Sequence, residues 1–390
     1  DDAGEYTCAV TDDTGAQLLS HVADLLVAAP PRITSQPADV RVYLGRPFAL
    51  SVTAADGFAP LAYQWERDGV PIDGATSRTY TVAEAASAGD YRCVVADDLG
   101  TETLSEVAGV AIADAPVIAQ QPAAAQRYVG ATHTFSVSAS GGFAPLAYQW
   151  RKNGVPIAGA TDANYTTPAL TLEDVGDYRC VVTDALGTQL LSEPAPLGVA
   201  APLAIAAQPQ SARAYLGGAH TFSITAAGGF APLAYQWSRD GEPIPGANAS
   251  MYTTGAPIVP GDYTCIVTDD LGTELSSSTG TLEVAPPLEI ITQPQDARRY
   301  VGAAVGLSVE AAGGFAPVTY QWHKDGQPID GATGAGYDVA AATLPDAGVY
   351  TCVVADAEGT QAVSAEALLE TAETPTIVSQ PEDVTRYKGQ

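Results

Sequence analysis

Short stretches in which apolar and polar residues alternate run along the chain, and turn residues separate them. Residues 135–139 (FSVSA), 146–150 (LAYQW) and 178–182 (YRCVV) each place large or apolar side chains at every second position. A period of two residues is typical of a half-buried β-strand, and no segment sustains the 3.6-residue period of an amphipathic helix. Several such strands in each repeat, separated by Gly, Pro and Asp clusters, predict an all-β sandwich.

The strand pattern returns at a regular period. The residues GGFAPLAYQW at 141–150 recur almost unchanged at 56–65, 228–237 and 313–322. The intervals between successive tryptophans alternate slightly in length, because the stretch from Trp to the next Cys is two positions longer in every second repeat. Self-similarity at a fixed period indicates a repeat protein. The spacing of the motifs therefore repeats every two domains, which is the interval from Trp65 to Trp237.

These spacings predict four complete domains with a partial domain at each end. We call the complete domains repeat 1 (residues 30–114), repeat 2 (115–201), repeat 3 (202–286) and repeat 4 (287–373). Residues 1–29 correspond to the last two strands of a further domain, and residues 374–390 to the first strand of another. We expect a longer parent chain, or half-domains that neighbouring chains complete.

The motifs of each repeat resemble the immunoglobulin family, in its intermediate-set form, and the bacterial surface domains similar to it. DVGDYRC at 174–180 matches the D-x-G-x-Y-x-C signature of strand F, YQW at 148–150 resembles strand C, and QP at 121–122 resembles strand A. Ser87 and Val259 replace the leading Asp in repeats 1 and 3, where we expect the corner contact of the tyrosine to be lost or rebuilt. The resemblance implies a structural core formed by Trp65, Trp150, Trp237, Trp322, Cys93, Cys180, Cys265, Cys352, Tyr91, Tyr178, Tyr263 and Tyr350.

The resemblance has one departure, which concerns the disulfide. The family places a second cysteine on strand B, but those positions hold Val52, Val137, Ile224 and Val309. Each lone Cys is therefore interpreted as a small buried hydrophobic residue rather than a reactive thiol. The predicted fold is an all-β tandem array of immunoglobulin-like β-sandwiches without the intradomain disulfide, which would have contributed about 4 kcal/mol per domain.

The charge of the chain excludes two classes of partner. Its 45 acidic and 17 basic residues give a net charge of −28, which repels nucleic acid and anionic lipid. No stretch approaches the ~18 consecutive apolar residues of a membrane span, so we expect no membrane insertion in this segment. An acidic surface fits an extracellular or salty setting.

Residues suited to catalysis or metal binding are sparse. His133 and His220 stand where repeats 1 and 4 have Phe48 and Val305, which indicates a structural position. Since no nucleophile, base and acid can be assembled, we predict no enzyme and no catalytic, cofactor-binding or metal-binding residues.

Acidic turns recur between strands F and G. DDTG stands at 12–15 and DDLG at 97–100 and 269–272, whereas DALG at 184–187 and DAEG at 356–359 retain the first Asp alone. We interpret the Asp and Gly as the residues of a tight hairpin turn. The alternative hypothesis is a calcium site.

The basic residues occupy two recurring places, before the Tyr-x-Gly of each repeat and after its Trp. We interpret them as protection of exposed strand edges. The alternative is lateral association, in which each basic place meets the acidic corner of a neighbouring rod. The residues are Arg41, Arg127, Arg213, Arg298, Arg299 and Arg386, and Arg67, Arg151, Lys152, Arg239 and Lys324.

The recurring GFAP loop, which in this family faces the preceding domain, carries one aromatic residue: Phe58, Phe143, Phe230 or Phe315. We predict that these residues pack into the junction between domains and stiffen the array, as the short Pro-bearing linkers also suggest. The alternative is contact with a partner.

These features predict an extracellular or cell-surface protein, bacterial according to the resemblance. The segment is expected to be structural or adhesive and to form a semi-rigid rod, stalk or filament building block. Its partners are predicted to be other copies of itself or neighbouring repeats, with a cell-surface protein or glycan as a further option. The alternative functions are a ligand-binding immunoglobulin-like module and a non-catalytic appendage of a larger enzyme. Near-identity of the four GFAP loops favours a shared structural role.

Overall fold

The chain forms two compact units, Asp1–Ala200 and Ala201–Gln390. The computed structural model describes residues 2–386 and 388–389. Three residues of the predicted partial domains lie outside this described part: Asp1 of the first, and Tyr387 and Gln390 of the last. Within it, no helix has the length and apolar character needed to cross a membrane.

The first unit contains repeats 1 and 2. Its opening segment forms β1 (Gly4–Tyr6), β2 (Ala9–Thr11), β3 (Gln17–Leu19) and β4 (Ala23–Leu25). Repeat 1 contains β5 (Arg32–Ser35), β6 (Val40–Tyr43), β7 (Phe48–Ser51), β8 (Thr53–Ala55), β9 (Ala62–Arg67), β10 (Val70–Pro71), β11 (Thr79–Val82), β12 (Gly89–Ala96), β13 (Glu102–Leu104) and β14 (Ala108–Ala113). Repeat 2 contains β15 (Val117–Gln120), β16 (Ala125–Tyr128), β17 (Thr134–Ser136), β18 (Ser138–Ser140), β19 (Ala147–Lys152), β20 (Val155–Pro156), β21 (Asn164–Thr166), a 3-10 turn (Leu172–Asp174), β22 (Gly176–Thr183), β23 (Gln189–Leu191) and β24 (Ala195–Ala200).

The second unit contains repeats 3 and 4. Repeat 3 contains β25 (Ala204–Ala207), β26 (Ala212–Tyr215), β27 (Thr221–Ser223), β28 (Thr225–Ala227), β29 (Ala234–Arg239), β30 (Glu242–Pro243), β31 (Met251–Thr253), β32 (Gly261–Thr268), β33 (Glu274–Ser276) and β34 (Gly280–Ala285). Repeat 4 contains β35 (Glu289–Thr292), β36 (Ala297–Tyr300), β37 (Val305–Ser308), β38 (Glu310–Ala312), β39 (Thr319–Lys324), β40 (Gln327–Pro328), β41 (Gly336–Val339), a second 3-10 turn (Leu344–Asp346), β42 (Gly348–Ala355), β43 (Gln361–Val363) and β44 (Ala367–Ala372).

Each repeat is a sandwich of two layers. In repeat 2 the larger sheet has the order β16-β24-β22-β19-β20, with β23 also paired to β22, and the other layer is built from the pairs β15-β18 and β17-β21. The edge strand β16 runs parallel to β24, while the other pairs of the larger sheet are antiparallel. The other three repeats have the same strand orders. Two packed antiparallel layers with this arrangement form an immunoglobulin-like β-sandwich.

The core of each sandwich is centred on its Trp and Cys. In repeat 2, Trp150 stands directly opposite Cys180 on the neighbouring strand, and both are fully buried. The indole Nε1 donates a hydrogen bond to the carbonyl oxygen of Asp162 at 2.9 Å, so the buried polar atom is satisfied. Val137, at the position of the missing second cysteine, packs in the same core. The other repeats also bury their Trp and Cys completely.

The chain's five cysteines, all within the described residues, are free thiols. Burial raises the pKa of the Cys180 thiol to about 11, so this side chain stays protonated and unreactive at neutral pH. The sandwich is therefore closed by packing and hydrogen bonds rather than by a covalent bridge.

The corner tyrosines keep their contact in every complete repeat. Tyr91 donates to the carbonyl oxygen of Ser87 at 3.3 Å, and Tyr263 donates to that of Val259 at 2.8 Å. The contact in repeats 1 and 3, which we expected to be lost or rebuilt, is neither, because the acceptor is a backbone oxygen that any residue supplies. The Asp174 side chain serves a different purpose. Its Oδ2 accepts hydrogen bonds from the backbone nitrogen and hydroxyl of Thr171 and caps the 3-10 turn of the longer repeat.

Candidate functional site at the repeat junctions

One tyrosine links the two repeats of the first unit. Strand β6 ends at Tyr43, which carries its half-buried ring from repeat 1 to the turn between β22 and β23 of repeat 2. The Tyr43 hydroxyl donates to Asp184 Oδ2 at 2.5 Å and lies 2.7 Å from the hydroxyl oxygen of Thr188. We call this cluster, together with Phe143 and Arg41, the first junction.

The carboxylate of Asp184 organises the junction. Its Oδ1 accepts hydrogen bonds from the backbone nitrogens of Leu186 and Thr188, both at 3.0 Å, which hold the turn. Its Oδ2 accepts from the backbone nitrogen of Phe143 at 3.0 Å as well as from Tyr43. The side chain thus joins its own turn, the GFAP loop and the preceding repeat, although Asp184 is only 5% exposed.

The same carboxylate geometry bears on the calcium hypothesis. Asp97 in repeat 1 uses Oδ1 to accept from Leu99 and Thr101 and Oδ2 to accept from Phe58, so the first Asp of the turn again binds backbone nitrogens. Within the part of the chain that the structure describes, no group of three or more His, Cys, Asp or Glu side chains is placed to hold a metal ion. Calcium binding stays the untested alternative to the turn interpretation.

Aromatic and cationic side chains complete the first junction. The rings of Tyr43 and Phe143 have centroids 5.9 Å apart, and the guanidinium of Arg41 lies 6.0 Å from the Phe143 centroid. Offset ring pairs and a cation over a ring face are both attractive. Phe143 therefore lies against the preceding repeat. The structure places Phe58 beside the turn of its own repeat and buries Phe230.

The second unit holds an equivalent cluster, one two-domain period further along the chain, which we call the second junction. The Tyr215 hydroxyl donates to Asp356 Oδ2 at 2.5 Å, and the Tyr215 and Phe315 ring centroids are 5.2 Å apart. Arg213 adds an ion pair, since it bonds to Glu283 of repeat 3 at 2.7 Å and to Glu358 of repeat 4 at 3.0 Å. In the first junction, Leu186 occupies the position that corresponds to Glu358. The two junctions therefore differ in charge.

In repeats 2, 3 and 4 the two glycines before the Phe have a separate role. Gly142 donates its backbone nitrogen to the carbonyl oxygen of Asp114 at 2.8 Å, which ties the loop to the linker before repeat 2. Gly141 has a φ of +69°, and a Cβ there would overlap the carbonyl oxygen of Ala115. Gly228 and Gly313 stand in the same relation to their linkers. In repeats 2, 3 and 4 the linker backbone passes too close for a side chain at this position, whereas repeat 1 holds Asp56 there with a φ of +65°.

The tyrosine and the glycine pair were not among the predicted junction residues. The tyrosine could have been found from the Tyr-x-Gly motif that recurs near the start of each repeat. Four of the five basic residues that follow a Trp, all except Arg151, lie beside local carboxylates, and the pairs are Arg67 with Asp68 (3.9 Å), Lys152 with Asp174 (3.5 Å), Arg239 with Asp240 (3.6 Å) and Lys324 with Asp325 (3.1 Å).

The repeated sandwich and its junctions define the class: the chain is a tandem array of immunoglobulin-like domains without intradomain disulfides. No protein-family profile matches it. It is 26% identical over 417 residues to Protein sax-3 of Caenorhabditis elegans, covering 95% of this chain and 32% of sax-3. It is 27% identical over 407 residues to Hemicentin-1 of Mus musculus, covering 95% of this chain and 7% of that protein.

The chain thus spans about a third or less of these relatives, at 32% and 7% of their lengths. Both come from animals, so they give no support to the bacterial origin that the resemblance implied. Among solved structures, the chain is similar to the titin fragment I67-I69, with a TM-score of 0.48 and 20% identity over 66% of this chain and 98% of that one. It is also similar to Sidekick-1 immunoglobulin domains 1-5, with a TM-score of 0.40 and 21% identity over 96% and 86%.

The linker contact predicts unequal effects of two glycine substitutions in repeat 2. Gly130 and Gly141 both have positive φ, but a Cβ on Gly130 would meet open space. Gly130→Ala should cost about 1–2 kcal/mol for the left-handed backbone alone. Gly141→Ala must also displace the linker and should cost at least about 1 kcal/mol more. Hydrogen exchange of repeat 2 in the full chain measures both losses, and equal losses would contradict the linker contact.

The pKa of Asp184 predicts loosening of the first junction in acid. Burial would raise this pKa, but hydrogen bonds from Tyr43, Phe143, Thr188 and Leu186 outweigh it and hold the pKa below the ordinary value of 3.8. The junction is therefore fully stabilised above pH 3.8 and loses that stability as the pH falls further, through the lowered pKa. Spin-label distances between repeats 1 and 2 should broaden in that window.

Asp184→Asn is the control for this titration, because it removes the ionisable group and one acceptor oxygen. The variant should already show a broad distance distribution at neutral pH, with little further change in acid. An identical acid transition in the variant and the wild type would assign the titration to another group.

Proposed function

We propose that this chain is an extracellular structural and adhesive repeat segment whose domains are coupled through Tyr–Asp junctions. The observation that carries the proposal is the recurrence of one contact, which joins Tyr43 to Asp184 in the first unit and Tyr215 to Asp356 in the second. An array that limits bending between neighbouring domains transmits force and holds its surfaces at a set spacing. This role requires no catalytic step.

Two further observations support the proposal. The similarity to sax-3 and Hemicentin-1 covers 95% of the chain, and so extends over all four repeats. The net charge of −28 suits a surface that must stay soluble outside the cell. We place the segment at the cell surface or in the extracellular space, with other copies of itself, neighbouring repeats or a surface protein as partners.

Coupling within the first unit is tested with spin labels at Val70→Cys and Val155→Cys. These exposed valines occupy equivalent positions in repeats 1 and 2, and the exposed native Cys8 is replaced by Ser. The wild-type junction should give a narrow distance distribution. Tyr43→Phe, which keeps the ring contact but loses the hydrogen bond, should broaden it, and Tyr43→Ala should broaden it further.

The matched control is Tyr215→Phe, which makes the same chemical change in the second unit and should leave the distance between residues 70 and 155 unchanged. Each variant must retain its circular dichroism spectrum, so that broadening reports bending and not unfolding. Equal distributions for wild type and Tyr43→Ala would refute coupling through the first junction.

The location is tested separately, with an antibody against this segment on intact and permeabilised cells of the source organism. We expect labelling of intact cells at the level seen after permeabilisation, with a cytosolic protein labelled in permeabilised cells only. Signal that requires permeabilisation would refute the extracellular assignment.

A further inference from the structure

Two arginines face each other on the outer surface of repeat 2. Trp150 points into the core, so the next residue of β19, Arg151, lies on the opposite face of the larger sheet. Arg151 is directly opposite Arg179 of β22 in the strand register, and both side chains are partly buried. Like charges placed opposite each other across two strands are destabilising.

The equivalent positions of the other repeats avoid this repulsion. In repeat 1 they hold Glu66 and Arg92, which form an ion pair with Nε and Oε2 2.7 Å apart. Repeat 3 has Ser and Thr at the same register, and repeat 4 has His and Thr. The outer position after the Trp thus changes from repeat to repeat, although the four loops and cores around it are nearly identical.

The arginine pair of repeat 2 is not neutralised within the chain. Among the described residues, neither Arg151 nor Arg179 forms an ion pair, and the buried Nε of Arg151 has no hydrogen-bond partner. The neighbouring Lys152, by contrast, lies 3.5 Å from Asp174. A buried donor without an acceptor is costly. In a chain with a net charge of −28, leaving two adjacent cations unpaired calls for a ligand of opposite charge.

We propose that Arg151 and Arg179 form a binding site for a carboxylate carried by an acidic segment of a partner protein. A bound carboxylate would relieve the repulsion between the two partly exposed guanidinium groups, in the charge-assisted geometry that arginine favours. The choice of carboxylate rests on repeat 1, where the same register positions bind the Glu66 carboxylate through Arg92 Nε. The site would distinguish repeat 2 from the other repeats and is independent of the junctions.

The experiment uses the full chain and a fluorescently labelled hexaglutamate peptide, with binding followed by anisotropy. At about 0.15 M salt, where the Debye length is roughly 8 Å, the repulsion between the peptide and the net negative charge of the chain is largely screened, and contact with the two arginines should give measurable binding. Arg151→Glu copies the Glu–Arg arrangement of repeat 1 and supplies the carboxylate internally. It should weaken peptide binding by at least about tenfold.

Arg92→Gln is the matched control, because it removes an arginine of repeat 1 that is already paired, and it should leave peptide affinity within about twofold of wild type. If Arg151→Glu fails to fold, Arg179→Gln provides the same test with one charge removed. Failure of the wild type to bind, or equal binding by the wild type and the repeat 2 variants, overturns the site. Tighter binding of a sulfated oligosaccharide than of hexaglutamate overturns the assignment to a protein carboxylate.

Discussion

The junctions depend on a carboxylate that serves two purposes at once. Asp184 is the residue that opens its tight turn, and its oxygens accept hydrogen bonds from the backbone of that turn whether or not another repeat is present. A nearly buried carboxylate is tolerated only when its oxygens are satisfied, and Oδ2 retains capacity for a further donor. The Tyr43 hydroxyl supplies it from the preceding repeat. Coupling two domains therefore needs one tyrosine at the end of a strand, because the acceptor is already in place.

The fold could be predicted from the sequence because its determinants are local or periodic. Alternation indicated the strands, and the spacing of Trp150 and Cys180 placed facing strands in one core, as their pairing shows. The candidate site was harder to predict from the sequence. Phe143 stood out because its loop recurs, whereas Tyr43 bonds to a residue 141 positions downstream, a separation at which strand patterns carry no information. The role of the glycine pair was equally hard to predict from the sequence. A side chain is excluded there because the linker backbone passes against the loop, which only the folded structure shows.

The alternating repeat length also has a structural explanation. The two additional residues of repeats 2 and 4 fall in the segment that forms a 3-10 turn, with Thr171 and Asp174, or Thr343 and Asp346, closing a capping box. Since the corner tyrosine that follows bonds to a backbone oxygen, the change of length leaves the corner intact. Each unit therefore combines a short repeat with a long one, and the long repeat provides the acceptor of the junction.

Strand geometry separates what the repeats must share from what they are free to vary. Inward residues such as Trp150 are held by the core, and the loop at residues 141–143 is held by the linker and the junction. The residue after each Trp is free of these constraints. The alternation of side chains along the strand turns it to the outer face of the larger sheet. Glu66 and Arg151 show that this position tolerates a reversal of charge without a change of fold. An array of nearly identical domains can therefore acquire a distinct binding surface at one repeat while its core and its coupling stay the same.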